Sequence, residues 1–137
     1  MKKVLNRKIV IPVVSAFTVL SLAMPAFAWT SVTASASITF SESQTYYRAT
    51  AKSSVKGNGS SNEYQRIENY TVFQSDASWM DFGSTRGNSS PVTVTLTSDK
   101  EGDDLTWKCT VDGSLWEGGL LHEHSDSVTK KYTFRNR

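Results

Sequence analysis

The chain has 137 residues, 15 Lys and Arg against 13 Asp and Glu, and one Cys. That length admits one domain of ordinary size, and a single Cys excludes an internal disulfide, so burial and hydrogen bonding must hold the fold. Four of the basic residues, Lys2, Lys3, Arg7 and Lys8, precede Trp29 and no acid does, so the rest of the chain carries 11 against 13, a net of about −2 that gives no reason to expect a nucleic-acid partner.

The chain opens on MKKVLNRK, cationic throughout, followed by the uncharged apolar run IVIPVVSAFTVLSLAM. Met24 and Pro25 break the run, and Ala26-Phe27-Ala28 supplies the small-x-small pattern that signal peptidase reads. These features predict a signal peptide over 1–28, cleaved between Ala28 and Trp29, with the form of a bacterial leader. An uncleaved anchor would need about 20 apolar residues, which Ile9 to Ala28 nearly provide, but Pro12, Pro25 and the cleavage pattern favour removal. No Cys follows the cut to take a lipid anchor. The expected product is a secreted, extracellular domain over 29–137 that makes no membrane contact after cleavage.

Alternation of apolar and polar residues governs this domain. In TSVTASASITFS, Val32, Ala34, Ala36, Ile38 and Phe40 share one face and Ser or Thr fills the other, the pattern of a half-buried strand. The polar turn at Ser41 to Gln44 returns the chain into TYYRATAKSSV, so the two segments read as a long hairpin. After the turn KGNGSSN, a third strand is predicted in EYQRIENYTVF, with apolar residues on both faces and cover expected on both. The stretch from Gln74 to Pro91 shows no clean period. It holds Trp79, Met80 and Phe82, which is more apolar surface than an idle linker carries.

Further strands are predicted in PVTVTLTS, in DLTWKCTVD and in VTKKYTFR, the last interrupted on its apolar face by Lys130. Cys109 shares a face with Leu105, Trp107 and Val111, as a buried small hydrophobe would. No segment after Trp29 has a helical period. About six strands at hairpin spacing, with Ser and Thr on the wet faces, predict an all-β chain folded as a single small antiparallel β-sandwich. The Ser/Thr excess is expected to serve as solvent-facing strand surface, because β-branched Thr suits that position.

No motif states a chemistry. His122 and His124 in LLHEHSD point the same way if extended, a candidate metal pair whose third ligand would come from Asp112, Glu117 or Asp126. The spacing is not HExxH. Asp99, Glu101 and Asp103 begin like a calcium loop, but Asp104 stands where the turn Gly belongs and Thr110 where the bidentate Glu belongs. Ser53 to Lys56 and Ser127 to Lys130 satisfy S-x-x-K without the SDN or KTG that accompany it in β-lactamases. There is no G-x-S-x-G elbow, and no cofactor is implied.

Aromatic residues in irregular segments stand out instead. Trp79, Met80 and Phe82 lie between Ser75 and Asn88, and Trp116 lies between Gly113 and His124 among glycines. Aromatics held there either supply a binding surface or plug the ends of the sandwich. The reading is a non-enzymatic binding protein that contacts an extracellular protein or a cell-surface polymer through Trp79, Met80, Phe82 and Trp116. The alternatives are a secreted bacteriocin-like antagonist and, less supported, a hydrolase assembled from several loops.

Overall fold

The computed structural model describes residues 30–59 and 63–135. The expected signal peptide and its cleavage site at Ala26, Ala28 and Trp29 lie outside the described residues. Seven antiparallel strands form: β1 (Val32–Glu42), β2 (Tyr47–Gly57), β3 (Glu63–Ser75), β4 (Met80–Ser89), β5 (Val92–Thr97), β6 (Leu105–Glu117) and β7 (Leu120–Tyr132). They make two packed sheets, one ordered β1-β2-β5 and the other β4-β3-β6-β7. The predicted β-sandwich is therefore the fold, with one more strand than expected.

The first hairpin follows its alternation over its whole length, pairing Val32 with Gly57 through to Glu42 with Tyr47. Alternate residues of β2 from Tyr47 to Gly57 are buried, which turns Arg48, Thr50, Lys52, Ser54 and Lys56 outward. In β3 the inward set is Ile67, Asn69, Thr71, Phe73 and Ser75. Its other face, with Arg66, Glu68, Tyr70 and Val72, has no layer over it, so the expected double cover does not occur.

The aperiodic stretch after Gln74 contains the additional strand. A turn in which the Ser75 amide donates to the Trp79 carbonyl, with Ser78 at φ 70°, reverses the chain into β4. This strand escaped the alternation rule because its inward positions hold no large apolar side chain. A Cβ on inward-facing Gly83 would stand 2.8 Å from Val94 Cγ1 and 3.2 Å from Leu96 Cδ2, so β5 presses directly on the β4 backbone.

β6 and β7 are each longer than predicted, and Trp116, His122 and His124 fall in strands rather than in a loop. The two-residue turn Gly118-Gly119 joins them, both glycines at positive φ (57° and 79°), as the twist of a tight hairpin requires. The core has two apolar clusters. One contains Ile38, Tyr47, Ala49, Ala51, Phe73, Trp107, Cys109 and Phe134; the other contains Val32, Val55, Tyr64, Ile67, Val92, Val111 and Leu115. Burying each large side chain contributes about 1.5–3 kcal/mol, which is how a chain with no disulfide closes this fold.

Candidate functional site

Register fixes what the outer face of the four-stranded sheet displays. Phe82 lies opposite Val72, Ser84 opposite Tyr70, and Met80 opposite Gln74 on the β3–β4 side. Across β3, Tyr70 faces Asp112, and Arg66 faces Trp116. Met80, Phe82 and Tyr70 are 64%, 66% and 44% exposed. The Tyr70 and Phe82 rings lie 6.4 Å apart between centroids at 35°, so they form one tilted platform beside the edge strand. Water against such a surface is displaced favourably by any partner that covers it.

A charged cluster borders the platform. Arg86 Nε lies 2.6 Å and Arg66 Nε 3.4 Å from the same oxygen, Oε1 of Glu68. The Arg66 guanidinium also lies over the Trp116 ring, 3.6 Å from its centroid. Two arginines share one carboxylate here, and Arg86 remains largely exposed. Leu121, opposite Trp116 at the tip of the β6–β7 hairpin, extends the exposed apolar surface beyond it.

The four residues expected to form one binding surface are thus divided. Trp79 turns inward and packs edge-on against Phe73 and Trp107, with centroids at 5.4 and 5.5 Å, closing the end of the sandwich. Met80 and Phe82 stand at one end of the outer face, on a strand. Trp116 stands at the other, about 26 Å away along β3 at about 3.3 Å per residue. Tyr70, Arg66 and Arg86 were not singled out from the sequence, although the i, i+2 spacing of Arg66, Glu68 and Tyr70 places them on one side of a strand.

His122 and His124 share a face of β7, as expected for an extended segment, and that face turns toward β1. Nδ1 of His124 accepts a hydrogen bond from the Ala34 amide at 2.9 Å, and Oδ2 of Asp126 accepts from the Ala36 amide at 3.0 Å. Nζ of Lys130 donates to the Ile38 carbonyl at 2.9 Å, which accounts for a lysine on the inward side of this strand. Glu117 and Asp112, the other expected partners, do not join the histidines: Oδ1 of Asp112 accepts from the Ser125 hydroxyl on the outer face. Among the described residues no group of three or more His, Cys, Asp or Glu side chains converges to hold a metal ion.

The remaining reactive groups are accounted for structurally. Ser53 is buried, its hydroxyl bonded to Asn69 and Thr71. Cys109 is fully buried, and burial together with the Asp126 charge pushes its thiol up to about 11. Partial burial, reinforced by Asp99 and Asp103, raises the Glu101 carboxyl above its ordinary range.

No family model matches the chain, and no curated protein matches it. Among solved structures, the β-glucosidase 3B of Thermotoga neapolitana in complex with α-D-glucose is similar at 12% identity and a TM-score of 0.28, over 77% of this chain and 17% of that one.

Proposed function

We propose that this protein is an exported, non-enzymatic β-sandwich that binds an extracellular protein or a cell-surface polymer. Its contact surface is the outer face of the four-stranded sheet. The observation that carries this reading is the exposed platform of Tyr70, Met80 and Phe82, which covers no part of the core and has a charged border at Arg66, Glu68 and Arg86. Large apolar side chains left in water on regular strands serve contact rather than folding. The sequence supports the address, through the leader that ends at Ala28.

The test mixes purified protein beginning at Trp29 with live bacteria and counts both bound protein and survivors. Binding that falls at least tenfold in the double variant Met80→Ser, Phe82→Ser, with an unchanged melting temperature and full cell survival, supports the proposal. Dose-dependent killing by the unaltered protein would replace it with an antagonist, and binding indifferent to both substitutions would move the site elsewhere.

A further inference from the structure

The sheet on the opposite side, β1-β2-β5, displays a different chemistry. Its outward positions are Thr33, Ser35, Ser37, Thr39 and Ser41 on β1, Arg48, Thr50, Lys52, Ser54 and Lys56 on β2, and Thr93, Thr95 and Thr97 on β5. Every charge among them is positive, and every other side chain carries a hydroxyl. A domain that is net acidic has therefore gathered cations into one row along its middle strand. Acids gather at the Arg48 end of the row, where Glu42 and Glu101 both pair with Tyr47 and Nη1 of Arg48 is tied to the Ser98 carbonyl at 2.9 Å. Lys52 and Lys56 are exposed. A shallow depression of about 530 Å³ lies around Lys52, lined by Ser35, Ser37, Ser54, Thr93 and Thr95.

We propose that this face binds an extended phosphodiester-linked polyol, a chain in which phosphates alternate with hydroxyls. Cations four residues apart on a strand are separated by about 13 Å, too far for one small anion to bridge, so a ligand that engages the row is itself extended. Lysine meets phosphate as a point charge, and serine and threonine both donate to phosphate oxygens and exchange hydrogen bonds with polyol hydroxyls. A single-stranded nucleic acid is a poorer match, because its bases need aromatic platforms and no ring faces outward from these three strands. A lipid surface would want exposed apolar side chains, which this face also lacks.

The inference is independent of the aromatic face, and the Met80→Ser, Phe82→Ser variant serves as its control. Binding of poly(glycerol phosphate) is measured by calorimetry beside dextran, polyglutamate and oligo(dT), using protein that begins at Trp29. The proposal expects binding of poly(glycerol phosphate) alone. Three engaged charges would weaken it about 20-fold between 50 and 200 mM salt, against about threefold for the single charge left in Lys52→Gln, Lys56→Gln. That double variant should keep its melting temperature and bind at least tenfold more weakly at low salt, while the aromatic-face control binds normally. Absence of binding, equal binding of polyglutamate or oligo(dT), or binding that survives removal of both lysines would each overturn it.

Discussion

Trp79 and Phe82 are three residues apart, yet their replacement should have opposite consequences. Trp79→Ala removes a ring packed against Phe73 and Trp107, and losses of this kind destabilise by about 3–5 kcal/mol. Phe82→Ser exposes nothing new and should move stability by about 0.5 kcal/mol or less, the range of ordinary surface changes. Urea denaturation of the two variants measures both, and equal losses would refute the division between plug and platform. Cys109 gives a second residue-level test. Only the thiolate reacts, and a buried thiol pushed up to about 11 keeps its proton at neutral pH, so a thiol reagent should label the protein only as fast as it unfolds. Glu101 gives a third. Its carboxyl holds a proton more tightly folded than unfolded, so it lowers stability as pH rises from the ordinary carboxylate range through its raised folded one. Glu101→Gln should therefore raise the melting temperature at pH 7 and leave it unchanged at pH 3, where both states hold the proton. An equal gain at both values would show that charge is not the cause.

At the scale of elements, the seam between β1 and β7 shows how the sandwich manages an open edge. β1 pairs by main chain with β2 alone, and its other edge would leave amides and carbonyls unpaired, an invitation to foreign strands. Side chains of β7 occupy that edge instead: His124 at Ala34, Asp126 at Ala36 and Lys130 at Ile38, with the Tyr132 hydroxyl donating to Glu42 beyond them. Asp126→Ala should destabilise by about 1–3 kcal/mol through the acceptor lost at Ala36, and amide exchange at Ala36 should accelerate while exchange at Val55, in the neighbouring β2 between β1 and β5, stays slow. Unchanged exchange at Ala36 would mean that the contact does not persist in solution. Sequence pattern could not reveal this seam. Alternation told which residues of β1 and β2 face inward because their inward residues are apolar, but β7 puts His124, Asp126 and Lys130 inward, and only the sheet order shows what they meet. β4 was hidden for the complementary reason, since glycine stands inside and Met80 and Phe82 outside. The platform was accordingly half legible: Met80 and Phe82 drew attention by type, whereas their union with Tyr70 depends on a register that no local pattern encodes.

For the molecule as a whole, the two apolar clusters are separated by buried polar side chains that join the sheets. Nδ2 of Asn69 donates to the Ser53 hydroxyl at 3.0 Å and to the Val92 carbonyl at 3.1 Å, and Oδ1 of Asn69 accepts from Thr71 at 2.7 Å. Ser53 and Thr71 hydroxyls close the circuit at 2.6 Å. Ser53 belongs to β2 and Asn69 to β3, so one satisfied network ties one sheet to the other at a single register. A two-residue slip of β3 keeps the same face inward, which an apolar belt would tolerate, but it would part Asn69 from Ser53 and from the Val92 carbonyl. Removing one member should therefore cost more than removing all. Asn69→Ala leaves Ser53, Thr71 and the Val92 carbonyl short of partners and is expected to destabilise by about 2–4 kcal/mol. The triple variant Ser53→Ala, Asn69→Leu, Thr71→Val leaves only the Val92 carbonyl and should recover most of that loss in urea denaturation. If the network also fixes register, the triple variant keeps its stability while its amide spectrum broadens into more than one state. Strictly additive losses across the single and combined variants would mean that each residue acts alone and that pairing of the outer strands sets the register of the sheets.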